Sequence, residues 1–156
     1  MNKKLVTILA LLIVAGSISA VSAFDLGDIF GSGENQTVTV SGLKFNIPDG
    51  YEEVAPTKDV TEMFDNLTVK GANITYKLFT KDSSAIVIAT YNNLTDSQIK
   101  EFMAIDNNAT NTTIDGINGT ITRTTDGVSM FTYSKEGKVV MVSAESKEVI
   151  SEVIKA

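Results

Sequence analysis

Val128-Ser129-Met130-Phe131-Thr132-Tyr133, Ser134-Lys135-Glu136-Gly137 and Lys138-Val139-Val140-Met141-Val142-Ser143-Ala144 follow one another without a break near the end of the chain. The outer runs have the length and the β-branched and aromatic content of strands. Between them, Glu136-Gly137 offers the positive φ that a tight hairpin turn demands. Upstream, Gly119 to Thr124 is a third run, and Asp126-Gly127 is a second turn. The spacing predicts a three-stranded meander over 119–124, 128–133 and 138–144. Strands joined by short turns pair antiparallel, because a parallel pair needs a long crossover.

The same reading extends outward. From Ser146 to Ala156, Val149, Ile150, Val153 and Ile154 fall on one side of a helix, and Lys147, Glu148, Glu152 and Lys155 on the other. Asp106 to Asn118, rich in asparagine and threonine, is expected to be loop. Before it, Thr95 and Gln98 make a capping-box pattern, opening a helix to about Asp106 whose apolar face is Ile99, Phe102 and Met103. Ala85 to Tyr91 is almost continuously apolar, as a central strand covered on both faces would be. Asn73 to Phe79 alternates and pairs with it through Lys81 to Ser84. Thr57 caps a short helix over 58–64 that faces inward through Val60, Met63 and Phe64. Val38 and Val40, then Leu43, Phe45 and Ile47, form a hairpin about Ser41-Gly42 that Pro48-Asp49-Gly50 stops. The expected order is β-β-α-β-β-α-β-β-β-α, an α+β fold with helices packed on a mainly antiparallel sheet. No internal repeat is present.

The N-terminus has a different grammar. Lys3 and Lys4 precede an apolar run from Leu5 to Ala15, and the small-residue stretch Gly16 to Ala23 ends in Val21-Ser22-Ala23. That is the order of a secretory signal peptide, cleaved between Ala23 and Phe24. The competing expectation is an uncleaved anchor over 5–23, the chain's sole route to a membrane. No cysteine stands at the cleavage point to accept a lipid. Residues 24–35 read as a flexible leader and 36–156 as a single domain. Cleavage would leave 11 cationic against 19 acidic residues, a net charge of −8, with Arg123 the lone arginine. Such a chain has no basic footprint for nucleic acid. With no cysteine anywhere, an exported domain must be held by its core rather than by disulfides.

Leu43-Lys44-Phe45-Asn46-Ile47-Pro48-Asp49-Gly50-Tyr51 resembles the apolar-x-Phe-x-Ile-Pro-x-Gly-aromatic opening of exported PsbP-like and DcrB-like domains. The likeness covers those nine residues. It implies an α/β/α sandwich and a family of binding and assembly factors without a common active site, so it carries over no functional residue. With its signal sequence and its richness in asparagine and threonine, the chain also looks like small secreted proteins of methanogenic archaea.

The strongest chemical signal is a set of seven N-x-Ser/Thr sequons, at Asn35, Asn66, Asn73, Asn93, Asn108, Asn111 and Asn118. Composition alone would give about two. They are candidate glycosylation sites, which require exposure after export. Abundant turn asparagines are the plain alternative. Catalysis finds little support. Absence of histidine and cysteine removes the usual general base, the thiolate nucleophile and most transition-metal sites, so no catalytic, cofactor or metal residue is assigned. Asp106-Asn107-Asn108 starts like a calcium loop but lacks its glycine and its acidic twelfth residue, and Asp25 with Asp28 is weaker. Tyr51, Tyr76, Tyr91 and Tyr133 read as strand packing in preference to a ligand platform. The expected function is therefore an exported, N-glycosylated, non-catalytic binding or structural module. Its partner would be an envelope component or another exported protein, met through residues 42–57, the 134–138 turn and the terminal helix. The alternatives are an accessory subunit or unfamiliar envelope enzyme using carboxylates, and a small-molecule or ion carrier.

Overall fold

A computed structural model describes residues 36–66, 71–104, 108–125 and 127–155. The expected signal peptide, the leader and Asn35 lie outside the described residues. Along the chain come β1 (Gln36–Val40), β2 (Leu43–Ile47), β3 (Glu52–Val54), α1 (Lys58–Asn66), β4 (Asn73–Lys81), β5 (Ser84–Asn92), α2 (Asp96–Met103), β6 (Thr110–Ile114), β7 (Ile117–Arg123), β8 (Ser129–Lys135), β9 (Lys138–Ala144) and α3 (Lys147–Ile154). The fold is α+β: a seven-stranded sheet ordered β3-β4-β5-β9-β8-β7-β6, every pairing antiparallel, and a separate two-stranded sheet, β1-β2.

Three of the turns share one construction. Ser41 and Gly42 have φ of 51° and 84°, Asp115 and Gly116 48° and 79°, and Glu136 and Gly137 52° and 70°. Two consecutive left-handed residues twist in the same sense as the strands they join, which fixes each hairpin's register. Residues on one strand therefore face the same neighbours on the next, and each sheet face is a definite list of side chains.

Both faces of the central strands of the large sheet are covered. Phe79, Ile86, Ile88, Ile114, Phe131, Tyr133, Val140, Val142 and Ala144 point to one side, where Val40, Leu43, Phe45 and Ile47 of the β1-β2 hairpin and Ile150, Val153 and Ile154 of α3 close over them. On the other side Leu78, Ala85, Val87, Ala89, Tyr91, Met130, Val139 and Met141 meet Val60 and Phe64 of α1 and the half-buried Ile99, Phe102 and Met103 of α2. Continuous burial along β5 follows from this double cover.

The helix starts are chemically defined. Thr95 accepts from Gln98 N–H, while the Gln98 side chain returns to Thr95 N–H at 2.9 Å, closing the capping box. Ser146 accepts from Val149 N–H at 3.3 Å at the head of α3. There Glu148 is held below the usual carboxylate range, first by its own backbone N–H and then by the Ser146 hydroxyl.

Two strands lie where none was expected. β3 follows Gly50 and is three residues long, too short to show a period. More consequentially, the polar segment expected to be loop contains β6 and the first residues of β7, so the meander has four strands instead of three. Threonine's branched Cβ suits a strand whether or not its outer face is dry, and Asp115-Gly116 makes the same turn as Glu136-Gly137. Helix α2 ends at Met103 rather than near Asp106, which lies outside the described residues.

Candidate functional site

Five of the seven sequon asparagines fall on described side chains, namely Asn73, Asn93, Asn108, Asn111 and Asn118, and all five are exposed. The Asn66 side chain, at the end of α1, lies outside the described residues. Asn73 begins β4. Asn93, in the left-handed region at φ 60°, follows β5 and donates from Nδ2 to the Gly71 carbonyl at 3.0 Å. The two are neighbours in space, since Asn73 pairs with Asn92.

Asn108 precedes β6, whereas Asn111 lies within β6 and Asn118 within β7. Both were expected in loops. The hairpin register sets Asn111 opposite Thr120 and Thr113 opposite Asn118. Each sequon's hydroxyl residue therefore faces the other sequon's asparagine. Thr113 Oγ1 donates to Asn118 Oδ1 at 2.7 Å, binding the two sequons together. All four side chains project from the face of the sheet on which α1 and α2 pack, the face opposite Ile114 and Ile121.

On the other side α3 reaches β6. Lys147 Nζ donates to Thr112 Oγ1 at 3.3 Å, and the Ser151 hydroxyl bonds the Asp115 carboxylate.

The Pro48-Asp49-Gly50-Tyr51 corner is built around a buried tyrosine. Tyr51 OH donates to Glu145 Oε2 at 3.2 Å, and Lys81 Nζ donates to the Asp49 carbonyl at 2.9 Å while lying 5.9 Å from the Tyr51 ring centre. This ties the end of β2 to both the β4–β5 turn and the end of β9.

Three of the four tyrosines are core residues. Tyr91 is 0 % exposed, its ring 4.6 Å from that of Phe102, and its hydroxyl has no hydrogen-bond partner among the described residues. Tyr133 is also buried, and Tyr76 stacks on Phe64 at 4.1 Å. Burial raises Tyr91 and Tyr133 from 10.0 to about 12 each. Burial, then the charge of Glu145, does the same for Tyr51, also to about 12.

A phenol whose ionisation is raised in the fold stabilises it fully below the unfolded value, and that contribution is lost as pH rises through the folded value. Alkaline unfolding is therefore expected between about pH 10 and 12. Phenolate absorbance should rise together with loss of the far-ultraviolet dichroism of the sheet. Tyr91→Phe, which deletes an unpaired hydroxyl, should move the transition to higher pH. Ionisation of all the tyrosines at ordinary values in a still-folded protein would contradict this arrangement.

A shallow, open depression of about 380 Å³ lies between α2 and the β8–β9 turn, lined by Asp96, Ile99, Lys100, Ser134, Lys135, Glu136 and Gly137. It mixes two carboxylates with two ammonium groups at the surface. The 134–138 turn thus sits beside α2, away from residues 42–47 and the terminal helix, which pack together over the opposite sheet face.

Among the described residues no group of three histidine, cysteine, aspartate or glutamate side chains is placed to hold a metal. Asp25, Asp28, Asp106 and Asn107, the residues weighed for calcium, lie outside them. Among the described residues no helix is long and apolar enough to cross a membrane, and the 5–23 segment is not one of them. Comparison of the chain with family models, with curated proteins and with solved structures finds no match.

Proposed function

We propose that this chain is an exported, N-glycosylated module of the cell surface with a binding or structural role, not a catalytic one, and that its layers form the α/β/α sandwich of the PsbP-like and DcrB-like domains. One observation carries the reading. Every described sequon asparagine is exposed, and so are Thr75, Thr95, Thr110 and Thr113, the hydroxyl residues of four of those five sequons. Asn73, Asn111 and Asn118 stand in strands, yet their side chains face solvent, as acceptors for a glycan must.

The contact surface follows by subtraction. Glycans on Asn73, Asn93, Asn111 and Asn118 would crowd the strand ends and the β6–β7 side. Past the Asn35 sequon, whose hydroxyl residue Thr37 lies on β1, the layer of β1, β2 and α3 holds no described sequon asparagine and presents the exposed residues Thr39, Lys44, Glu148, Glu152 and Lys155. A partner on the envelope, or another exported protein, would dock there through mixed charge and hydroxyls.

The experiment is intact-mass spectrometry of the protein from its native host, before and after chemical deglycosylation. A polypeptide starting at Phe24 and carrying sugar increments is the expected result. A bare polypeptide at full length would overturn both export with cleavage and modification.

A further inference from the structure

Among the described residues no further strand pairs with either edge of the large sheet, and the two edges are built differently. At one end β3 is three residues long and carries Glu52 and Glu53, both exposed. Short length and charge are the usual defences of an edge against pairing with another chain. At the other end β6, Thr110-Asn111-Thr112-Thr113-Ile114, is five residues long, with no charge and no proline. Its one described strand partner is β7.

The hairpin geometry says which of its backbone groups are open. The two-residue Asp115-Gly116 turn makes Ile114 and Ile117 the last hydrogen-bonded pair. Alternation then makes Thr112–Gly119 and Thr110–Ile121 hydrogen-bonded pairs. The main-chain N–H and C=O of Asn111 and Thr113 consequently point away from β7, into the position a further strand would take.

Nothing in such a strand opposes its own copy. Two β6 strands related by a two-fold axis would set threonines, asparagine and isoleucine against one another with no like charges facing. The defence missing from the sequence of β6 is supplied if Asn111 carries a glycan. Its exposed side chain stands in the middle of the open edge, next to the outward-facing groups.

We propose that Asn111 is a modification site whose glycan caps the β6 edge, keeping the protein monomeric, and that without it two copies pair antiparallel through β6 into one continuous sheet. The inference rests on the glycoprotein reading above and adds to it a site with a purpose. Asn118, on β7 inside the sheet, has no such role.

The test compares the native-host protein with four variants by glycopeptide mapping and by solution mass in analytical ultracentrifugation. Asn111→Gln and Thr113→Ala both destroy the Asn111 sequon, and each is expected to show a concentration-dependent doubling of particle mass. Thr113→Pro destroys the same sequon but also deletes one outward N–H and, at a non-hydrogen-bonded position, removes no ladder bond to β7; it should remain monomeric. Asn118→Gln, with its edge still capped, should be monomeric too.

Monomeric Asn111→Gln and Thr113→Ala would overturn the proposal while leaving the glycoprotein reading intact. So would glycans mapped to other sequons with Asn111 empty. Equal dimerisation of Thr113→Pro would place the interface elsewhere and overturn it as well. A polypeptide bare at every sequon would sink both ideas together.

Discussion

Phe131→Ala is expected to lower the melting temperature by roughly 10–25 °C, the result of losing about 3–5 kcal/mol from a domain whose whole stability is on the order of 5–15 kcal/mol. Phe131 is 0 % exposed and projects from β8 into the layer beneath the β1-β2 hairpin and α3. Its ring lies 5.3 Å from that of Tyr133, the planes 29° apart. Alanine would leave a ring-sized void between parts with little freedom to collapse, since the strands on both sides are fixed by the ladder and the hairpin by its own turn. Thermal unfolding followed by circular dichroism measures the loss. A near-normal melting temperature would mean that the hairpin does not close over this face.

The second large effect comes from adding atoms. Gly119 lies on β7 against the same ring, and a methyl group there would stand 2.7 and 2.8 Å from two Phe131 ring atoms and closer still to the Thr132 carbonyl oxygen. The ring could swing aside, but the carbonyl belongs to a backbone held in the sheet. Gly119→Ala is therefore expected to cost at least about 1–3 kcal/mol, although the Asn118-Gly119-Thr120 sequon keeps its acceptor and its hydroxyl. Denaturant unfolding should show a lower midpoint with an unchanged slope. Unaltered stability would exclude the close approach of β7 to Phe131. The glycine in this sequon is thus required by packing rather than by modification, a distinction the tripeptide itself does not carry.

Much of the fold was legible because its signals are local. Apolar alternation marked β1, β2 and β4, a continuous apolar run marked β5, and the Thr95/Gln98 box placed the start of α2. β6 was hidden by its composition: Asn111, Thr112 and Thr113 carry the polarity of a loop, and the strand's apolar side is reduced to Ile114. The Asp115-Gly116 turn was a usable clue, being the same chemistry that marked Glu136-Gly137. Exposure of the sequons could be anticipated from their polarity, but the crossing of Asn111 and Asn118 could not, because it depends on register. The Tyr51–Glu145 contact joins residues 94 positions apart, a relation no local pattern encodes.

The strand order also separates near from far along the chain. Every pairing except one joins strands consecutive in sequence; the exception is β5 with β9, which brings Tyr91 to Val139 and Val87 to Ser143, residues 48 and 56 positions apart. The large sheet is two locally knit panels, β3-β4-β5 and β6-β7-β8-β9, sewn along a single seam. Hairpins close in microseconds, while a contact across some fifty residues must first meet the entropy of a large loop. The seam raises the contact order of the domain, and with it the time the chain takes to reach its folded state.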